Sequence, residues 1–196
     1  MTRRILAIDT ETTGFPKKYG ALVQDGQARV CQVAMLLCDE TGKSLAEFSA
    51  LMKPEGWAVG EEAGQVHGFT TELCAACGVS SKATYLFYRR LAEMADVIIA
   101  HNSEFDRKMM DIEAAYHGYQ PADKPWKCTM SMTVDICNIP PTEKMLEAGF
   151  NKPKSPKLDE ALQKVCGKSL GDAAHDALWD VRACKDIYFG LKKVAA

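Results

Sequence analysis

Ile5-Leu6-Ala7-Ile8-Asp9-Thr10-Glu11-Thr12-Thr13-Gly14 carries four consecutive apolar residues straight into a pair of carboxylates. The apolar run reads as a buried central strand, and it is too short for a signal-peptide core before Asp9 interrupts it. Side chains two apart on a strand share a face, so Asp9 and Glu11 project together from the strand's C-terminal end. Two anions placed so closely repel unless a cation lies between them. Hard divalent ions such as Mg²⁺ and Mn²⁺ take carboxylate oxygens, so the pair invites one. An isolated Asp-x-Glu is also at home as a solvated strand end. Two further acidic motifs downstream give it weight.

Working outward, strands are expected at Arg4–Thr10, Val30–Asp39, Ser44–Lys53 and Val97–His101, with a short fifth around Trp126–Thr129. Glu40-Thr41-Gly42 is a turn signal, so the second and third strands form an antiparallel hairpin beside the first. From there helices and strands alternate. Ser80 or Ser81 caps a helix with Ala83, Phe87, Leu91 and Met94 at helical spacing. A second helix begins at Ser103, with Phe105, Met109, Ile112 and Tyr116 on one face, and Gly118 ends it. Asn138 to Pro156 holds four prolines and reads as an irregular excursion. Leu158–Cys166 is a short helix stopped by Gly167, and Asp176–Val194 a long terminal one with Leu178, Val181, Cys184, Tyr188 and Leu191 inward. The element order is that of an α/β layer architecture with mixed strand directions, and residues 1–196 read as a single domain.

Composition sets bounds on function. The chain has 196 residues, 47% of them apolar and 26% charged, which suits a globular protein with its own core. The eight cysteines sit mostly inside apolar patterns, as expected of buried thiols in a reducing, cytoplasmic compartment without disulfides. No membrane partner is implied. A net charge of −2 does not announce a nucleic-acid binder. Locally, five lysines lie between Phe150 and Lys168 against Asp159 and Glu160. Lys152, Lys154 and Lys157 could steer a phosphate backbone, or simply keep a Pro-rich loop solvated.

Asp106, in Ala100-His101-Asn102-Ser103-Glu104-Phe105-Asp106, follows a strand and falls in the first turn of the next helix. Ser103-x-x-Asp106 also has the form of a capping box. The last motif is His175-Asp176-Ala177-Leu178-Trp179-Asp180. Residues five apart on a straight helix are separated by about 140°, so His175 and Asp180 serve one site only if His175 sits in the entering loop or first turn.

These strings together resemble the DEDD superfamily of 3′-to-5′ exonucleases. Specifically, they resemble the branch with a histidine five residues before the last Asp (DEDDh), which includes polymerase proofreading subunits, ribonuclease T and oligoribonuclease. Val66-His67-Gly68-Phe69-Thr70 resembles a further recurrent segment, and the likeness spans nearly the whole chain. Ser103, Glu104 and Trp179 are modest departures. The resemblance implies a ribonuclease H-like fold: a five-stranded mixed β-sheet flanked by α-helices.

It also implies two divalent metal ions, Mg²⁺ or Mn²⁺, held by Asp9, Glu11, Asp106 and Asp180. His175 would be the general base, since imidazole titrates near neutrality. Thr12, Thr13 and Gly14 resemble donors to the terminal nucleotide, with Asn102 from the second motif also on the substrate side. Val66, His67 and Phe105 would pack on the base, although for His67 and Phe105 ordinary core packing is an equal alternative. His101 and His117 read as structural.

The expected activity is release of 5′-mononucleotides from single-stranded 3′ ends, DNA favoured over RNA, as in proofreading or DNA repair. A polymerase or a second copy of the chain would be a further partner. Two rival readings are a hydrolase of small oligonucleotides or nucleotides, and a non-catalytic nucleic-acid-binding module on the same fold. Cys74-x-x-Cys77 alone lacks the second pair that a zinc site needs.

Overall fold

The computed structural model describes residues 2–171 and 176–194. β1 (Arg4–Thr12), β2 (Val30–Asp39) and β3 (Ser44–Leu51) come first, followed by α1 (Glu61–His67), α2 (Thr71–Cys77) and α3 (Ser81–Met94). β4 (Val97–Ala100), α4 (Ser103–Tyr116), β5 (Trp126–Cys128), α5 (Thr129–Cys137), α6 (Glu143–Glu147), α7 (Leu158–Cys166) and α8 (Ala177–Val194) complete the order. The strands form one five-stranded sheet in the order β3-β2-β1-β4-β5. β1, β2 and β3 pair antiparallel, while β4 and β5 join parallel to β1. This is the expected α/β arrangement, a five-stranded mixed sheet flanked by helices.

Strand alternation divides the core. Leu6 and Ile8 of β1, with Val33, Met35 and Leu37 of β2, face Tyr85, Tyr88 and Leu91 of α3 and Met109 and Ile112 of α4. Ile5 and Ala7, with Ala34 and Leu36, face Ala177, Val181, Cys184 and Tyr188 of α8. Along β1 the odd positions therefore look toward α8 and the even ones toward α4. Asp9 and Glu11 extend the odd series, and Thr10 extends the even one. The hairpin turn is held by Asp39, whose Oδ1 accepts from the Thr41 N–H (2.9 Å) and the Lys43 N–H (3.1 Å).

Three details depart from expectation. β1 runs to Thr12 rather than Thr10, because β2 continues to pair with it past a bulge: Glu11 stands opposite Gln32, and Thr12 opposite Val30. The extra residue is Cys31, and bulges of this kind bend a strand and re-aim its side chains. Thr129–Cys137 is helical, capped by Cys128, whose sulfur accepts from the Ser131 N–H. The Pro-rich excursion contains α6, capped by the Thr142 side chain. All eight cysteines are free thiols, with Cys31, Cys38, Cys74 and Cys184 buried. Among the described residues no helix is long and apolar enough to cross a membrane.

Candidate active site

One carboxylate oxygen from each of Asp9, Glu11 and Asp180 lies within 4.8 Å of the others. β1 supplies the first two from its odd face, and the opening turn of α8 supplies the third. Asp106 sits on the other side of β1, 3% exposed, in the first turn of α4. Its Oδ1 accepts a hydrogen bond from the Thr10 hydroxyl at 2.8 Å. Thr10 thus ties the fourth acid to the strand that carries the first two. Strand alternation was the signal for this contact, since the residue between the two carboxylates must point toward α4. The capping-box expectation for Asp106 is corrected: Asn102 is the N-cap residue, it makes no side-chain cap bond, and the Asp106 carboxylate turns to Thr10.

Burial and crowding make these acids reluctant to ionise. Burial pushes the Asp9 carboxyl well above the usual range, and the charges of Asp106, Asp180, Glu11 and Asp176 add to it. Glu11 is pushed up to about 8 by burial and then by Asp180 and Asp106. Burial raises Asp106 to about 7, against the opposing hydrogen bond from Thr10. Among the described residues the charges acting most strongly on Asp9 and Glu11 are all negative. An all-oxygen, like-charged donor set of this kind fits hard divalent cations.

α8 is docked at its start by contacts that sequence patterning missed. The Ala177 N–H donates to Gln32 Oε1 at 3.2 Å, and Gln32 is the residue opposite Glu11 in the sheet. Asp176 Oδ1 accepts from the Leu178 N–H at 2.9 Å, which caps the helix and adds a further negative charge beside the cluster. Further along, Arg182 forms a bidentate ion pair with Glu47 of β3, at 2.8 and 2.6 Å. Removing the Gln32 acceptor leaves a buried donor unmatched. Gln32→Ala is expected to cost about 1–3 kcal/mol, which for a chain of this size lowers the melting temperature by several degrees in a thermal melt. His175 precedes this helix in sequence and lies outside the described residues.

Beside the acids a cavity of about 640 Å³ opens, bounded by Thr10 to Phe15 of β1 and its exit, by Gly60 to Ala63, Val66 and His67 at α1, and by Phe105 of α4. That volume falls in the range of small-ligand clefts. Six of the expected substrate residues, Thr12, Thr13, Gly14, Val66, His67 and Phe105, therefore share one wall, together with Glu11. Asn102 lies outside that lining. It holds a left-handed backbone (φ 73°, ψ 51°) at the turn from β4 into α4, which puts Asp106 in place.

Several hydroxyls and rings of the cleft are already engaged. Thr12 Oγ1 donates to the Gly14 carbonyl at 2.8 Å, and Thr13 Oγ1 accepts from the Arg29 N–H at 3.0 Å. His67 Nδ1 accepts from the Phe69 N–H at 3.1 Å, so the proton sits on Nε2, which reaches the Thr12 carbonyl at 3.2 Å. His67 thereby fastens α1 to the end of β1 while its ring lines the cavity. Gly60 closes the same corner. Its N–H donates to the Thr13 carbonyl at 3.1 Å, and a Cβ there would lie 2.9 Å from that oxygen.

Two other expectations resolve structurally. His101 bonds Thr129 Oγ1 (3.0 Å) and the Pro156 carbonyl (3.1 Å), and His117 meets Ser81 Oγ at 2.9 Å. Lys154, one of the three lysines of the Pro-rich stretch, is paired with Glu160 at 3.0 Å.

Comparisons with known proteins bear on the family and the fold. Residues 6–188 match the family model described as exonuclease. The chain belongs to this exonuclease family, within the superfamily that its acidic motifs resemble. No curated protein matches it. Among solved structures it is similar to E. coli exonuclease I in complex with a dA16 oligonucleotide, at 21% identity and a TM-score of 0.76. The match covers 97% of this chain and 41% of that one. It is likewise similar to the zinc-ion-bound E. coli exonuclease I complex with single-stranded DNA, at 20% identity, TM-score 0.75 and the same coverage, 97% and 41%. A product-bound exonuclease I gives 20% identity and a TM-score of 0.74, covering 98% of this chain and 44% of the other. The chain thus spans less than half the length of these structures, with which it shares the fold.

Proposed function

We propose that this exonuclease is metal-dependent and works in the 3′-to-5′ direction, releasing 5′-mononucleotides from single-stranded nucleic acid, with DNA favoured over RNA. The observation that carries the reading is the convergence of Asp9, Glu11 and Asp180 within 4.8 Å, at the mouth of a nucleotide-sized cleft. The preference for DNA draws support from the oligodeoxynucleotide bound to E. coli exonuclease I. We take residues 1–196 as one exonuclease domain of the histidine branch.

Asp9, Glu11 and Asp180 are the residues to hold divalent metal, Mg²⁺ or Mn²⁺, with Asp106 completing the set. Two such ions, when bound, supply electrostatic stabilisation of the attacking and leaving oxygens in an in-line displacement at phosphorus. Phe105, Val66 and the His67 ring provide an apolar wall for a base. Such a wall accepts any base, because every base has a flat face. The segment Thr12–Gly14, at the end of β1, is the one to meet the sugar end, with its hydroxyls held in place by Gly14 and Arg29. His175 is the residue to accept the proton of the attacking water, since imidazole as a side-chain type titrates near neutrality.

Direction and metal dependence are tested together by digesting 3′-labelled and 5′-labelled single strands of DNA and RNA with Mg²⁺, with Mn²⁺ and with EDTA. Label is expected in mononucleotides at once from the 3′ end and only at completion from the 5′ end, with no release in EDTA. Early release of 5′ label, or undiminished activity in EDTA, would overturn the reading.

A further inference from the structure

The loop that leaves the active site between β1 and β2 presents two aromatic rings to solvent. Phe15 is 89% exposed and Tyr19 is 78% exposed. Exposed apolar rings grouped beside a cleft mark a binding surface more than a single exposed residue does. This loop is held open from within. Gln27 Oε1 accepts from the Lys17 N–H (2.8 Å) and from the Ala28 N–H (3.1 Å). Gln24 Nε2 donates to the carbonyls of Tyr19 (3.2 Å) and Ala21 (2.6 Å), and the Lys17 ammonium reaches the Asp25 carbonyl. The Tyr116 hydroxyl of α4 donates to the Gln24 carbonyl at 3.2 Å, which fixes the loop to the body of the protein.

Phe15 continues a wall that starts inside the cleft. Phe105 lines the cavity, Phe15 meets it edge-on with centroids 6.2 Å apart, and Phe15 also borders a second cavity of about 500 Å³ on its far side. Four residues further on stands Tyr19, with the Lys18 ammonium 5.4 Å from its ring. Aromatic faces interleaved with lysine suit one ligand chemistry well: a single strand, whose bases stack while its phosphates meet the ammonium groups. A duplex hides its base faces and gains nothing from such a surface.

From this arrangement, and resting on the exonuclease reading of the cleft, we infer that Phe15, Lys18 and Tyr19 form a stacking platform. It would hold the nucleotides of a single strand that trail out behind the 3′-terminal one. The platform gives the enzyme a preference for strands over dinucleotides.

The test is binding rather than turnover. Fluorescence anisotropy is read in EDTA with 5′-labelled oligothymidylates of two and eight nucleotides, with an eight-nucleotide strand abasic in its 5′ half, and with a blunt duplex. Tyr19→Ala is expected to weaken the eight-nucleotide strand about tenfold, leaving the dinucleotide and the abasic strand within about twofold. Lys18→Ala is expected to flatten the salt dependence of strand binding by roughly 0.7 in log–log slope. The thermal melt of both variants should match the parent, since both side chains are on the surface. Equal binding of all strands by Tyr19→Ala and the parent overturns the platform. So does an equal loss for abasic strand and duplex, which would mean a charge effect alone. The exonuclease reading fails by a separate signal: no mononucleotide release by the parent with Mg²⁺, while the length-dependent binding persists.

Discussion

Asp9→Asn is expected to lower strand hydrolysis by about 10³-fold or more and, in metal-free buffer at pH 8, to raise the melting temperature. The two effects have one cause. Asp9 lies among Glu11, Asp106 and Asp180, all of which raise its pKa together with burial. A carboxyl whose folded-state pKa is raised contributes stability that is fully present below its unfolded pKa and lost as pH rises through the folded value. With Glu11 near 8 and Asp106 near 7, the loss in metal-free protein begins near the ordinary carboxylate pKa of about 4 and runs to about pH 8. Asparagine keeps the shape and removes one of the charges.

Divalent ions are expected to reverse the loss in the parent. At a hundred times its Kd a bound ion adds about 2.7 kcal/mol, which corresponds to roughly 5–10 °C for a chain of this size. Mg²⁺ or Mn²⁺ should therefore raise the parent's melting temperature strongly at pH 8 and little at pH 5. In Asp9→Asn the rise should be largely gone. His175→Ala separates the chemistry from the charge: activity falls by about 10²–10⁴-fold, while the metal-induced rise survives. A parent-like melting response to Mg²⁺ in Asp9→Asn would remove Asp9 from the metal site.

Arg29→Ala is expected to cost about 3–5 kcal/mol, or roughly 6–20 °C in melting temperature. Arg29 and Glu113 are 3% exposed each and pair through two bonds of 2.8 Å, with the guanidinium 3.8 Å from the Tyr116 ring centroid. Glu113 also accepts from the Val30 N–H at 3.1 Å. Truncating Arg29 strands a buried carboxylate, and that penalty exceeds the net worth of the pair. The double replacement Arg29→Met with Glu113→Leu removes both charges and should recover most of the loss. The pH dependence has a definite sign. Burial alone would raise the Glu113 pKa, yet the Arg29 and His117 contacts hold it below its ordinary value. Its contribution is therefore present above the unfolded pKa and lost as pH falls through the folded one. In Arg29→Ala that acid-side loss should shrink. A single variant that melts within a degree or two of the parent would show that the pair carries no such weight.

Much of this was legible in the sequence because the decisive signals are local. Ile5–Ile8 followed by Asp9 and Glu11 contains both the central strand and the parity that aims two acids at one face. The turn at Glu40–Gly42 gave the hairpin, and the spacing in α4 and α8 gave the helices that carry Asp106 and Asp180. What escaped was decided by partners distant in the chain. β1 reaches Thr12 only because β2 bulges at Cys31 and keeps pairing. α5 is rich in β-branched residues and reads as poor helix; burial of Thr129 and Thr133 holds it, with the Thr133 hydroxyl satisfied on the Thr129 carbonyl (2.8 Å). Thr13 read as a donor to the terminal nucleotide and His67 as packing on a base or in the core; that their polar atoms also fasten neighbouring segments carried no signal. Gln32 carried no signal, since its role exists only once α8 lands on it.

The docking of α8 also bears on how such an enzyme is made. Asp9 and Glu11 on β1 leave the ribosome well before Asp180 on α8, so the three-carboxylate site is assembled from elements far apart in the chain. A nascent chain that has emerged only as far as α7 has no third acid. The sheet face of Ile5, Ala7, Ala34 and Leu36 is then still without its cover. The third acid and the cover of that sheet face therefore arrive in the same step, when α8 seats.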